Sequence, residues 1–346
     1  MECFALGIGI GHKNSRNDWL DVYYPKAFCR PTPILIKIIQ KVFNWEQGNV
    51  VIDIPNGLFD DLIYLLEKSD NGDADSILRA IVPLQGTKEP LCICILHKDS
   101  APKSIPEIYL KLSLISMRKI LPLSCNLENL FKLLPNVAWT NKGPIDLIDL
   151  TLEQTKARSR GEILSVNSID KFPKMADFVV PKGIRIGDAS RVRLGAHLGD
   201  GTTVMHEGFC NFNAGTLGVS MIEGRISSGV LVGEGSDLGG GSSTMGTLSG
   251  GGSVVISLGE QCLLGANAGV GIPLGDRCTI ESGLYVTAGS KVKVLDEDKS
   301  VIGIVKAREL ANKNDLLFRR NSLTGEVECL TNKATIELNS LLHINN

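Results

Sequence analysis

Two carboxylates, a histidine and an arginine fall within one glycine-rich stretch of this chain, MHEGFCNFNAGTLGVSMIEGRISSG, as His206, Glu207, Glu223 and Arg225. Transfer of an acyl group to an amine needs a group that takes the amine proton or attacks the donor. It also needs donors that hold the charge growing on the carbonyl oxygen. His206 is the base expected from residue type alone. Glu223 stands between Ile222 and Gly224, where an apolar repeat resumes, and partial burial there would raise its pKa and strengthen it as base or nucleophile. Glu207 offers oxygen to a hard cation. Each also has a plain structural reading: a histidine packed at a turn, a solvated or hydrogen-bonded carboxylate. Lys306 in VKARE, with Arg319 and Arg320 in LLFRRNS, forms a cationic set suited to phosphate or carboxylate oxygens. Solvated surface charge is the plain alternative.

A six-residue beat carries these groups. Ile186, Val192, Leu198 and Val204 mark it; it resumes at Ile226, Val232 and Leu238, at Leu258, Leu264 and Val270, and at Leu274, Ile280, Val286 and Val292. Several of these aliphatics precede a glycine and, four residues on, a small side chain, as in Ile186-Gly187 with Ser190 or Leu258-Gly259 with Cys262. The interval predicts a parallel β-helix whose triangular coils take about eighteen residues each, with the aliphatics stacked inside and glycine turning the corners. Left-handed prisms of this kind occur largely in acyltransferases. The beat fails over 209–223 and 242–257, and insertions in a solenoid are expected to leave as loops where chemistry gathers.

Ahead of the beat, residues 1–165 mix helical spacing over 33–42, 60–67, 110–121 and 145–158 with a buried strand over 90–96, which predicts an α/β amino-terminal domain. The β-helix is expected over 166–295, entered through a proline-bearing passage. A carboxy-terminal segment, 296–346, should cover the strand edges of the last coil. Its SVIGIV reads as a strand, its Leu323-Thr324-Gly325 as a hairpin turn, and ATIELNSLLHI as a short helix or strand.

A net charge of -2 gives no field toward nucleic acid or an anionic membrane. No apolar run reaches the roughly 20 residues of a membrane span, and no basic region precedes the first apolar stretch as in a secretion signal. Nine scattered cysteines fit reduced thiols in the cytoplasm. Cys92 and Cys94 form a C-x-C within the apolar LCICIL, where burial is a better reading than metal binding. Two glycine clusters, Gly239 to Gly241 and Gly250 to Gly252, match no phosphate-loop pattern. They are expected to let the backbone turn and approach a long ligand closely.

Longer motifs make the reading specific. FALGIGIGHKNSRNDWLDVYY, LLPNVAWTNKGPIDL, SIDKFPKMADFVVP, VRLGAHLGDGTTVMHEGFCNFNAGTLG, MIEGRISSGVLVGEGSDLGGGSSTMGTLSGGG, LLGANAGVGIPLGD, ESGLYVTAGSKV, VKARELA and DLLFRRNS resemble the tetrahydrodipicolinate N-succinyltransferase family, in its longer form. The resemblance covers nearly the whole chain. It implies a left-handed parallel β-helix, a homotrimer with active sites between adjacent prisms, and succinyl transfer from succinyl-CoA to the amino group of ring-opened tetrahydrodipicolinate. The products are N-succinyl-2-amino-6-oxopimelate and CoA, within lysine and diaminopimelate biosynthesis. It makes Glu223 the catalytic residue, described in relatives as forming an acyl-anhydride, although residue type leaves a general base equally open. It makes Arg225, Gly240, Ser243, Ala266, Glu281, Ser282, Gly289, Lys306, Arg319, Arg320, Asn321 and Ser322 contacts of substrate or succinyl-CoA. It implies no tightly bound cofactor. In some relatives the glutamate matching Glu207 joins an aspartate in binding a divalent ion such as Mg near the trimer axis; Ser190 stands here at the aspartate's position. The nearest alternative is another hexapeptide acyltransferase using acetyl-CoA and a loop histidine, which His206→Ala would disable while Glu223→Gln would not. A silent or zinc-bearing prism is the other, and it would need more histidines than His197 and His206.

Overall fold

The computed structural model describes residues 3–246 and 254–331. They fall into two compact units, Met1–Leu114 with Ser124–Pro173, and Ile115–Leu123 with Lys174–Asn346. No helix among the described residues is long and apolar enough to cross a membrane.

The first unit runs β1 (Ala5–Lys13), β2 (Trp19–Cys29), α1 (Pro33–Phe43), β3 (Val50–Asp53), α2 (Asn56–Glu67), α3 (Gly72–Ile81), β4 (Leu91–Leu96), α4 (Ile105–Ser116), α5 (Leu130–Leu133), β5 (Val137–Thr140), β6 (Gly143–Asp146), α6 (Leu147–Ser159) and β7 (Val166–Asp170). An antiparallel sheet of order β2-β1-β4-β3 is its centre. One face carries Leu6, Ile8, Ile93 and Ile95 into a core with Leu35, Ile39, Phe59, Leu62, Leu66 and Ile77 of α1 to α3. On the other, the Tyr24 hydroxyl donates to Pro106 O at 2.9 Å. Cys92 and Cys94 are fully buried beside Tyr24, and burial pushes the Cys92 thiol up to about 12. β5 pairs with both β6 and β7, so the passage expected to lead into the prism begins with a strand of the first unit's smaller sheet.

Most elements of this unit follow from local chemistry. Pro33 opens α1, where its missing N–H is no loss, and Asn44 ends it in the left-handed region at φ 49. The predicted helix over 110–121 instead occupies Ile105–Ser116, because Pro106 suits a first turn and Arg118, at φ 58, stops it. α3 was not expected, yet its signal is present: Asn71 accepts from the N–H groups of Asp73 and Ala74, with Asp73 and Asp75 in the first turn. The KNSRND motif is a clamp. Asn14 donates to Asp146 at 2.8 Å and Ser15 to Asp149 at 2.7 Å, holding the β1–β2 tip on the first turn of α6.

In the second unit the six-residue beat becomes three ladders of short parallel strands. The first stacks Arg185–Ile186, Thr202–Val204, Ser220–Ile222, Asp237–Leu238, Leu263–Leu264 and Thr279–Ile280. The second stacks Phe209–Cys210, Arg225–Ile226, Ser243–Thr244, Gly269–Gly271 and Tyr285–Thr287, and the third Ala196–His197, Ala214–Thr216, Leu231–Val232 and Ser257–Leu258. The chain visits first, second and third in fixed rotation. Val192, Leu198, Val204, Ile222, Ile226, Val232, Leu238, Leu264, Val270, Ile280, Val286 and Val292 are all fully buried.

The first expected interruption is not a loop. Cys210 and Thr216 hold the six-residue positions between Val204 and Ile222, both fully buried. The aliphatic pattern missed them because the Thr216 hydroxyl is satisfied inside, accepting from Gly199 N–H at 3.0 Å and sharing a 2.7 Å hydrogen bond with Thr202. The irregularity is a shortening: Ile226 follows Ile222 after four residues instead of six. The second interruption is an insertion, since the third ladder's Leu258 follows Thr244 only after fourteen residues. Gly250 to Gly252 within it lie outside the described residues.

Glycines that follow inward aliphatics also differ from expectation. Gly233 does not have the left-handed backbone of a corner; a Cβ there would stand 2.4 Å from Gly259 O and 2.5 Å from its carbonyl carbon. It is needed for coil to lie on coil. Gly233→Ala is expected to cost about 1–3 kcal/mol by overpacking, read as a lowered melting temperature; an unchanged melt would refute this account of the stacking.

Beyond the last coil, Leu316–Arg320 pairs in parallel with Thr279–Ile280 and turns through Asn321–Gly325 into Val327–Thr331. That strand pairs with Lys291–Leu295, which takes Val301–Lys306 on its far edge. The expected covering segment is thus a small sheet continuing the first ladder. ATIELNSLLHI lies outside the described residues.

Candidate functional site

The corner between the first and second ladders gathers most of the residues singled out in the sequence. Backbone hydrogen bonds stack it: Glu223 N–H donates to Leu238 O at 2.8 Å, Gly239 to Leu264 O at 2.8 Å, Gly265 to Ile280 O at 2.8 Å and Glu281 to Phe318 O at 2.9 Å. Gly241 N–H bonds Glu223 O, Asn267 bonds Gly240 O, and Gly283 bonds Ala266 O. Glu223, Gly240, Ala266, Glu281 and Ser282 therefore line one edge, coil above coil. The Glu281 carboxylate then accepts Arg320 N–H at 2.7 Å, bringing Arg319, Arg320, Asn321 and Ser322 onto the same edge. Four coil steps of about 4.8 Å make this column roughly 19 Å long.

Glu223 sits in a notch of that edge. Its corner lacks two residues present at the corners of Val204 to Cys210, Leu238 to Thr244 and Leu264 to Val270. The backbone is cut back there, between His206 and Glu207 on one side and the three glycines Gly239 to Gly241 on the other. A Cβ built on Gly240 would meet nothing within 4 Å except the Glu223 carboxylate, at 4.0 Å. Glu223 is half-buried, and no described residue hydrogen-bonds its carboxylate. Gly240 thus leaves open the space through which a ligand would meet that carboxylate.

Arg225 and Ser243 lie next to the notch, paired on the outer face of the second ladder, with Arg225 exposed. Gly289 and Lys306 lie at a different corner, where Ala307 N–H donates to Ser290 O. The three cations read as one set are spread apart. Two strands separate Lys306 from Arg319 and Arg320, a span of about 14 Å. Arg319 is committed to Glu328 at 2.9 Å, and Asn321 donates to the same carboxylate at 2.8 Å. The bonds from Asn321 and Arg319 hold that carboxyl below its ordinary range. Arg320, exposed and donating to Gly325 O, is the more open guanidinium.

His206 is exposed one coil before Glu223, its ring lying over Gly187. His197 is buried on another ladder against Thr216 O, and burial pushes it below the ordinary histidine range. Among the described residues no three histidine, cysteine or carboxylate side chains cluster as a metal site. Glu207 is exposed at the same corner. One coil earlier, Ser190 donates to Asp188, whose carboxyl is lowered by those bonds. A hard cation takes about six or more oxygen ligands, and the described residues of one chain do not gather such a set.

Comparison with known proteins decides the family. A model of the tetrahydrodipicolinate N-succinyltransferase middle region matches residues 134–174, and one of the hexapeptide repeat of succinyl-transferase matches 255–288. The chain is 54% identical over 350 residues to the 2,3,4,5-tetrahydropyridine-2,6-dicarboxylate N-succinyltransferase of Vibrio cholerae, covering 100% of both. This chain belongs to the tetrahydrodipicolinate N-succinyltransferase family. The Pseudomonas putida enzyme of the same name is 54% identical, over 99% of this chain and 98% of its own length. A crystal structure from Campylobacter jejuni, described as a 2,3,4,5-tetrahydropyridine-2-carboxylate N-succinyltransferase, superposes with a TM-score of 0.85 at 33% identity, over 96% of this chain and 93% of that one. As an N-succinyltransferase of this family the chain is an acyltransferase, and its hexapeptide match covers the coils that place Ala266, Glu281 and Ser282 on the column leading away from the notch.

Proposed function

We propose that this chain transfers the succinyl group of succinyl-CoA to the amino group of ring-opened tetrahydrodipicolinate, releasing CoA and N-succinyl-2-amino-6-oxopimelate on the way to diaminopimelate and lysine. The observation that carries the reading is the notch: a carboxylate with no hydrogen-bond partner among the described residues, opposite a glycine corner, at one end of a column long enough for an extended thioester. The Glu223 carboxylate attacks the thioester carbonyl, CoA leaves as thiolate and is protonated, and the amine nitrogen then attacks the resulting anhydride. That second step returns the carboxylate and gives up the amine proton. At the Gly239 to Gly241 corner the Gly240 N–H, unlike those of Gly239 and Gly241, is not spent on a neighbouring coil among the described residues and would donate to the carbonyl oxygen. Arg225 and Ser243 flank the acyl group, while Ala266, Glu281, Ser282, Gly289, Lys306, Arg320, Asn321 and Ser322 follow the CoA moiety.

The prism is read as left-handed, from the hexapeptide match and the likeness to the Campylobacter structure. Three copies would complete the sites between adjacent prisms, and a divalent ion would then draw one Glu207 carboxylate from each copy. Nine free thiols and the absence among the described residues of a membrane-crossing helix support work in the cytoplasm. The test is thiol release with succinyl-CoA or acetyl-CoA and the cyclic amine. Release from succinyl-CoA, strongly preferred over acetyl-CoA, is expected. No release from succinyl-CoA would refute the reading.

A further inference from the structure

The outer face of the second ladder carries an aromatic ring that no motif singled out. Phe209, Arg225, Ser243, Gly269 and Tyr285 occupy one outward row, each in register with the next coil. A Cβ built on Gly269 would fall 2.1 Å from Tyr285 Cε1, 2.2 Å from Cδ1 and 2.5 Å from Cζ. Tyr285 therefore lies down across Gly269. Its own backbone is one coil away, about 4.8 Å, so a ring whose Cζ has reached Gly269 carries its hydroxyl onward along the row toward Ser243 and Arg225. From the opposite side Met245 lies over Gly271 in the same way, its Sδ 2.6 Å from where a Cβ would be. The Gly269–Gly271 strand is thus a seat for two long side chains laid flat.

Tyr285 remains 53% exposed, and among the described residues its hydroxyl has no hydrogen-bond partner. Arg225 is exposed, with no carboxylate beside its guanidinium among the same residues. A phenol hydroxyl, a serine hydroxyl and a guanidinium directed along one row, next to the Glu223 notch, form a set of donors with one positive charge. That set matches a carboxylate, which accepts only and takes two oxygens' worth of hydrogen bonds. A bare acetyl group would leave it unmatched.

We propose that Tyr285, seated on Gly269, reads the distal carboxylate of the succinyl group together with Arg225, and so determines donor specificity. This rests on the proposed succinyl transfer. In Tyr285→Phe, kcat/KM for succinyl-CoA should fall by about tenfold or more, the scale of one hydrogen bond to a charged group. The fall should come through KM, with inhibition by free CoA unchanged. Gly269→Ala, which displaces the ring, should give the same pattern, its fold checked by a thermal melt. An unchanged KM in Tyr285→Phe overturns the assignment, and so does an equal weakening of free CoA, which would place the ring against the CoA arm. Failure of the unaltered protein to release CoA from succinyl-CoA would instead sink the proposed reaction.

Discussion

Glu223→Gln is expected to lower turnover by about two orders of magnitude or more, equivalent to roughly 2.7 kcal/mol of lost transition-state stabilisation. The amide keeps the size of the side chain but removes its charge and its nucleophilic oxygen, whether the carboxylate attacks the thioester or takes the amine proton. The fold should not change. Glu223 makes no side-chain hydrogen bond to another described residue, and its backbone bonds to Leu238 and Gly241 do not depend on the carboxylate. Thiol release under saturating succinyl-CoA, beside a thermal melt, reads both statements. Near-normal turnover would remove Glu223 from the chemistry and return attention to His206, one coil away on the same edge.

The largest expected effect on stability lies in the first unit. The Lys111 side chain is 0% exposed, and its ammonium spends its three donors on Asp99 Oδ1 at 2.7 Å, Ser100 O at 2.6 Å and Asn126 O at 2.7 Å. Asp99 is itself tied to Asn126 N–H. Lys111→Met retains the bulk and leaves a carboxylate and two carbonyls without their donor. Breaking a buried pair from one side costs about 3–5 kcal/mol, and the partial exposure of Asp99 places this case near the lower end. Calorimetry should show the first unit melting several degrees lower, with the second unit's transition in place. A shift below about 1 °C would mean that solvent reaches those oxygens, and that the pair contributes little.

Lys111 also illustrates where sequence reading stops. The stretch 110–121 has helical apolar spacing, and a lysine inside it reads as solvent-facing. Only when α4 is set against the 99–100 and 126 turns does its ammonium find three oxygens in one place. α3 failed differently: the Asn71 cap and the acids after it were present, but the run is short and only modestly apolar, and its burial comes from packing with Ile77 and Ile81 in the core of α1 and α2. Cys210 and Thr216 were misread because stacking in a prism selects shape and internal hydrogen bonding, and a threonine with a satisfied hydroxyl meets both conditions.

By itself the sequence determined the coil and its residues. A six-residue aliphatic period points to a stack of short strands. A 3.6-residue repeat scatters positions six apart around a helix, while one continuous strand would keep them on one face but leave the positions two and four residues on, on that same face, without aliphatics. The motifs then picked out Glu223, Arg225, Gly240, Ser243, Ala266, Glu281 and Arg320. Tertiary structure decided how they stand. Parallel stacking converts positions far apart in the chain into neighbours about 4.8 Å apart, so a corner short by two residues becomes a notch only when full-length corners lie above and below it. The same stacking lays Tyr285 across Gly269 and sets Lys306 two strands away from Arg320. Periodicity sees one coil at a time, and the site is a property of their alignment.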